Sequence, residues 1–288
     1  MSAPLTWPPT PTVTGYVDSS PCPRVEIVLS PMPATARTAT VWRQTGGKRT
    51  VVRGALAMSV AGDAVITDYE APLQQPVVYL CQTYDATGAP TGTTGISAPS
   101  NPVTLKEPRA WLQDPIDPST SLPVALVRPT PDRGTVAVSR RASYATINHT
   151  QAVTVTEVFG SDFPVASGGM RQQPDSIPIE IRTTDPATSA LRNLIAQAFP
   201  VLLRTGTRLA QLPPLAYLVL PTVTERTILF ADAPVTIWTA TAQAVRPNTS
   251  PVLVPPRTLN DLTDDAATLG GLGSKYASML DLDRGILA

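Results

Sequence analysis

One histidine, two cysteines and a 15% share of charged residues bound this 288-residue sequence before any motif is read. The lone His149, within Ala145-Thr146-Ile147-Asn148-His149-Thr150, cannot complete a zinc site without several carboxylates. A serine triad would need the same histidine, and no Gly-x-Ser-x-Gly elbow accompanies it. Cys22 and Cys81 are too few for a disulfide scaffold. They could face each other across two sheets, but in a reducing cytosol both are expected free and buried. Lys+Arg and Asp+Glu stand at 22 each, so no basic field exists for sequence-specific nucleic-acid binding. The longest basic groups, Lys48-Arg49 and Arg140-Arg141, read as surface pairs. No run of eighteen apolar residues occurs, so no membrane helix is predicted. Residues Met1 to Pro9 lack the basic start and apolar core of a signal peptide, and the protein is expected to be made in a cytosol.

Several chemical motifs are imitated without being met. Gly270-Gly271-Leu272-Gly273-Ser274-Lys275 lacks the spacing of a phosphate loop and no strand feeds it. Asp261, Asp264, Asp265, Asp281 and Asp283 lie in a terminal segment that offers no rigid cleft for paired-carboxylate hydrolysis. They also lack the order of a calcium hand. Asn148-His149-Thr150 and Asn248-Thr249-Ser250 match a glycosylation pattern that carries little weight without secretion. No catalytic residue, metal ligand or cofactor site is predicted.

What is abundant is proline, at 32, glycine, at 17, and many threonines and valines. This is the composition of a mainly β protein with many turns. Residues 1–20 are expected to be an edge strand or arm. Strand-like runs then cover Arg24–Leu29, Thr40–Thr45, Arg49–Arg53, Ala64–Tyr69, Gln75–Tyr84 and Thr94–Leu105, with a hairpin turn at Gly46-Gly47. That spacing predicts an immunoglobulin or fibronectin III-like sandwich over 1–106. Tyr79, two residues before Cys81, fits a tyrosine corner, and Trp42 falls on a strand where a core tryptophan is common.

Lys106-Glu107-Pro108-Arg109 reads as a linker, and Trp111-Leu112-Gln113-Asp114-Pro115 opens a second β domain over 107–246. Its predicted strands are Val124–Val127, Thr135–Ser139, Ala152–Phe159, Ile177–Thr183, Val201–Thr205, Ala216–Val219, Glu225–Phe230 and Val235–Ala244. One helix interrupts them at about 185–199, with Asp185 capping, Pro186 at the first helical position and Pro200 beyond the end. Leu191, Leu194, Ile195 and Ala198 form its core-facing stripe. A β-barrel or sandwich with one packed helix is expected.

Residues 247–288 begin with a proline-rich spacer (Pro247, Pro251, Pro255, Pro256). A pattern then repeats every ten residues: Thr258-Leu259-Asn260-Asp261-Leu262, Thr268-Leu269-Gly270-Gly271-Leu272 and Ser278-Met279-Leu280-Asp281-Leu282. Each hydroxyl is an N-cap signal, and an i, i+3 pair shares one helical face. At about 100° per residue, each repeat would turn that face by roughly −80°, so one long helix is not expected. Three short turns laid along a partner fit better, because isolated turns are unstable in water. Leu259, Leu262, Leu269, Leu272, Met279 and Leu282 are the expected docking residues of this arm. A frayed tail with chance leucines is the alternative.

Four features together resemble the minor tail proteins of actinobacterial long-tailed phages, of the distal-tail type. They are Val65-Ile66-Thr67-Asp68-Tyr69-Glu70-Ala71-Pro72-Leu73 with Pro76-Val77-Val78-Tyr79; Trp111-Leu112-Gln113-Asp114-Pro115-Ile116-Asp117-Pro118; the helix Thr184 to Ala198 with Pro200-Val201-Leu202-Leu203-Arg204-Thr205; and the decapeptide series. The resemblance implies tryptophan where Leu259 and Leu269 stand, a departure in this chain. It further implies a split-barrel second domain and a non-enzymatic virion protein, made in the bacterial host cytoplasm. That protein would form a ring with itself at the tail tip, a hexamer favoured over a trimer, and join tail tube to baseplate or receptor-binding machinery. A glycan-binding module is the alternative, with Trp7, Trp42, Trp111 and Trp238 as candidate platforms. A cell-wall hydrolase is a third reading.

Overall fold

In a computed structural model of the chain, the structure describes residues 8–18, 21–91, 95–125, 137–139, 153–157, 159, 162–168, 176–205, 213–230 and 233–247. The chain is mainly β, with one α-helix among the described residues. The first part holds β1 (Thr12–Tyr16), β2 (Arg24–Leu29), β3 (Thr38–Thr45), β4 (Lys48–Val51), β5 (Met58–Ser59), β6 (Ala64–Asp68), β7 (Pro76–Tyr84) and β8 (Val103–Thr104). One sheet runs β1-β2-β6 and another β4-β3-β7-β8, with β5 on β3. Alternation supplies the core between them. Val25, Ile27 and Leu29 of the first sheet meet Ala39, Val41, Val77, Tyr79 and Cys81 of the second in one buried cluster.

Local chemistry explains the connections. Thr45 pairs with Lys48, and Gly46 and Gly47 both take positive φ, at 55° and 80°. That is the twist-matched two-residue turn that glycine permits at low cost. Gly15 allows β1 to pass β8: a Cβ there would stand 2.9 Å from Val103 Cγ2.

Three expectations for this part need correction. Among the described residues of the run Thr94–Leu105, only Val103–Thr104 form a strand. Pro99 and Pro102 cannot donate to a ladder, and serine side chains take over. Tyr79 N–H donates to Ser100 Oγ and Cys81 N–H to Ser97 Oγ, each 3.0 Å, while the Ser100 and Ser97 amides donate back to the Tyr79 and Cys81 carbonyls. Trp42 is only half-buried, because its neighbours Val41 and Arg43 occupy the inward phase of β3. The tryptophan in this core is Trp111, fully buried and carried by the following segment. The expected linker is also fixed in place: Glu107 is buried and ion-paired to Arg109, and its carbonyl accepts from Gln74. Cys22 and Cys81 are free and buried.

The second part holds β9 (Ala110–Gln113), β10 (Leu122–Ala125), β11 (Ala137–Ser139), β12 (Val153–Thr156), β13 (Val165–Gly168), β14 (Ile177–Thr183), α1 (Ala187–Gln197), β15 (Val201–Arg204), β16 (Leu215–Val219), β17 (Val223–Phe230) and β18 (Ala233–Val245). Strands β9 and β13 were not anticipated. β9 is buried along its whole length, so it lacks the alternation that marks a half-exposed strand. The pairings β14-β11-β10-β9-β15-β16-β18 close on themselves through β18 with β14, and β17 adds to β18. Thirteen residues long, β18 pairs β17 and β14 along its first part and β16 at its end.

Helix α1 is shorter than 185–199, and Asp185 does not cap it. Pro186 is the N-cap residue and makes no side-chain capping bond. The apolar stripe packs inward: Leu191, Leu194 and Ala198 are buried, with Ile195 against them. They meet Leu112, Leu122, Ile179, Ile181, Val201, Leu203, Leu218 and Trp238. Both cores lie within one compact unit, Met1–Val252. The docking residues Leu259, Leu262, Leu269, Leu272, Met279 and Leu282 lie outside the described residues, as do His149 and Trp7.

Candidate functional site

The described ionisable side chains with the deepest burial gather where the two cores meet. They are placed by four consecutive residues, Asp68-Tyr69-Glu70-Ala71, at the end of β6. Asp68 accepts from Arg43 Nη1 at 2.9 Å on both carboxylate oxygens, from the Glu70 amide and from the Tyr79 hydroxyl. The Tyr69 carbonyl accepts from Gln113 Nε2 at 3.0 Å. Glu70 accepts from Arg53 Nε at 2.6 Å and from the Tyr217 hydroxyl at 2.7 Å. The Ala71 carbonyl accepts from both Nε and Nη2 of Arg204, at 3.1 and 2.6 Å.

Arg204 comes from β15 of the second core and is fully buried. Its remaining nitrogen donates to the Pro23 carbonyl at 2.7 Å and to Gln113 Oε1 at 3.2 Å, with Cys22 Sγ 3.9 Å away. Among the described residues no carboxylate touches the guanidinium; neutral carbonyls hold it, with Asp68 and Glu70 at longer range. A buried cation held this way must have its donors satisfied, since leaving them unpaired costs several kcal/mol. The site is therefore a clamp: both backbone carbonyls that hold Arg204, those of Pro23 and Ala71, belong to the first part and tie β15 to it, while Gln113 braces the guanidinium from β9.

Electrostatics agree with that role. Burial lowers the Arg204 pKa, and the surrounding acids only partly restore it. At Arg43 burial also pulls downward, but Asp68 and Glu70 outweigh it and the value is raised. Burial pushes the Tyr79 and Tyr217 hydroxyls up, reinforced by Asp68 and Glu70 respectively. Burial pushes the Cys81 thiol up to about 11 and also raises Cys22. At Glu107 burial pushes upward, but the hydrogen bonds from Arg109 leave the carboxyl below its ordinary value.

Tyr79 departs from a tyrosine corner, in which the hydroxyl reaches back to backbone. Here it meets the Asp68 carboxylate. Trp111 stacks under Arg109, 5.5 Å from the ring centre, and its buried indole N–H meets no acceptor among the described residues.

Three of the segments that carry the sequence resemblance converge on this clamp: Val65–Leu73 with Tyr79, Trp111–Gln113, and Val201–Arg204. Parts of three separate sequence motifs thus meet at one place in the structure. The roles of Arg43, Arg53, Asp68, Glu70, Arg204 and Tyr217 were not anticipated. A signal for Arg43 existed, since Ala39, Val41 and Arg43 share the inward phase of β3. Arg204, ending the apolar run Val201-Leu202-Leu203, offered the same kind of clue.

Two other features bear on function. An open groove of ≈ 690 Å³ runs along the outer side of β14 and β18, lined by Pro178, Glu180, Thr224, Thr239, Thr241 and Gln243 among others. Its one carboxylate, Glu180, is ion-paired to Arg182 at 3.1 Å. The second core encloses an apolar void of ≈ 30 Å³ beside α1, the share of one water molecule and too small for an organic ligand. Of the four tryptophans, Trp111 and Trp238 are buried and Trp42 half-buried. Trp238 donates to Thr183 Oγ1 at 2.8 Å. Among the described residues no group of three or more His, Cys, Asp or Glu could hold a metal ion, and no helix is long and apolar enough to cross a membrane.

The chain matches no protein-family model. It has no significant similarity to any curated protein.

Proposed function

We propose that the chain is a structural subunit of a phage tail tip, assembling with itself and with other tail proteins to link the tail tube to the baseplate or receptor-binding machinery. The observation that carries the reading is the clamp. Asp68, Glu70 and Arg204, which lie in segments that carry the resemblance, are buried where the two β cores meet, an arrangement that suits a rigid ring subunit. In this reading, residues 1–106 are the immunoglobulin or fibronectin III-like sandwich and 107–246 the split-barrel-like domain. Residues 247–288 are the arm that docks on a neighbour through Leu259, Leu262, Leu269, Leu272, Met279 and Leu282. The subunits form a ring, a hexamer before a trimer, made in the bacterial host cytoplasm and ending in the virion. The reading assigns no catalytic step and no cofactor.

Labelling of purified particles with an antibody to the chain tests this reading. Label at the tail tip is expected; particles that lack the chain would contradict it. Truncation before residue 257 is expected to leave a folded body that fails to join tails.

A second reading, recognition of host-surface glycans, draws on the groove. Four threonine hydroxyls, Thr222, Thr224, Thr239 and Thr241, with Gln243, Glu180 and two proline rings suit a neutral polyhydroxylated ligand. The buried tryptophans do not contribute to it, since stacking on sugars needs an exposed ring. Binding of the full chain on a glycan array, lost on Thr241→Val, would favour it.

A further inference from the structure

Strands β12 and β13 form a sheet of their own. Thr156 pairs with Val165 and Val153 with Gly168, and neither strand joins another described strand. All eight residues are exposed. Val153 and Val155 share one face with Ala166, while Phe159 and Phe163 lie in the connection, 106% and 79% exposed. Residues 153–168 contain Glu157 and Asp162 and no cation. A two-stranded hairpin is at best marginal in water; a third strand or a cover is what makes one stable. Uncharged open edges pair readily with further strands, and natural proteins normally protect them with lysine, proline or a covering segment. This hairpin keeps both edges open among the described residues and has neither lysine nor proline within its strands.

We infer that the β12–β13 hairpin is a self-association surface, covered by a second copy of this chain. The area is of the right size. Two phenylalanines at about 150–250 Å² each, with three half-exposed valines, offer on the order of 600 Å² per copy, against about 800 Å² per partner in a standard interface. Charge points the same way. The eight strand residues carry no charge, so a second copy can pair with their edges and faces without burying one; Glu157 and Asp162 lie in the connection, outside the paired strands. The inference deepens the structural reading by naming a surface for self-contact. The two fail separately, because particle labelling tests the tail role and solution mass tests the hairpin.

The experiment is sedimentation of the full chain over a wide range of protein concentration. The wild type is expected to associate. The double variant Val155→Lys, Phe163→Asp is expected to weaken association by about tenfold or more for each apolar group lost, and to sediment as a monomer. Its circular dichroism and melting should change little, since Val155 and Phe163 are 61% and 79% exposed. Phe159→Ser, at a fully exposed position, is the milder second variant and should weaken association in the same direction. A wild type that stays monomeric at every concentration overturns the proposal, as does a double variant that associates like the wild type. A monomeric wild type that floats with phosphatidylcholine vesicles, and loses this with Phe163→Asp, would also overturn it and assign the hairpin to a lipid surface.

Discussion

The junction and the β12–β13 hairpin invert the usual distribution of side chains. At the junction, Arg43, Arg53, Asp68, Glu70 and Arg204 are buried and hydrogen-bonded. On the hairpin, Val153, Val155, Phe159, Phe163 and Val165 stand in solvent. Each arrangement is costly alone. Buried ion pairs seldom add net stability over an apolar core, but they penalise every arrangement in which a partner is missing. Exposed apolar strands gain only when something covers them. The first restricts how the two cores can fit, and the second gains stability only under a cover.

The second core sharpens the contrast. It is lined by Leu112, Ile179, Leu191, Leu194 and Leu218, and its one indole is satisfied by Thr183. It needs no ion pair because helix and strands fill it with hydrocarbon. Among the described residues the buried ion pairs Arg43–Asp68 and Arg53–Glu70, with Arg204, cluster where the two cores abut.

Removing the acid at the centre of the clamp should have the largest effect. Asp68→Ala leaves the buried Arg43 guanidinium and the Tyr79 hydroxyl without their acceptor, and a loss of about 3–5 kcal/mol in urea unfolding is expected. Leu194→Ala breaks the other side of the comparison by opening a cavity in the apolar core, at a cost of about 2–5 kcal/mol. If the clamp joins the cores, both variants move one shared transition, read as the same midpoint by tryptophan fluorescence and by far-ultraviolet circular dichroism. Tyr217→Phe deletes a single hydroxyl bond across the junction and leaves Glu70 one donor short. About 1–3 kcal/mol is expected, again from urea unfolding.

Alkaline pH should produce an effect of similar or smaller size. The Cys81 thiol has its pKa raised from 9.0 to about 11 in the folded chain. Its stabilising contribution is complete below pH 9, where folded and unfolded thiols are both protonated. Above that the unfolded chain loses the proton first, so stability falls as pH rises toward about 11, by on the order of 1–3 kcal/mol. Cys22, Tyr79 and Tyr217, also raised, act in the same direction. Urea melts at increasing pH measure the slope, and Cys81→Ala should flatten part of it.

Much of the strand order was legible because alternation is a strong signal. Arg24–Leu29 and Ile177–Thr183 occur with the bounds the pattern predicts. The helix stripe was legible for the same reason. β9 was hidden because all four of its residues are buried. The extent of the Thr94–Leu105 strand was overstated because serine hydroxyls replace ladder bonds around Pro99, which no propensity rule anticipates. The clamp was half-legible. Its segments stood out one by one, yet the hydrogen bonds from Arg204 to Ala71 and from Tyr217 to Glu70 span well over a hundred residues, and only the fold brings those ends together.

The central claim is that the clamp makes two cores one body, and calorimetric unfolding of the full chain tests it most directly. The account predicts a single transition whose van't Hoff and calorimetric enthalpies agree. Two separated transitions, or a van't Hoff enthalpy well below the calorimetric one, would contradict it.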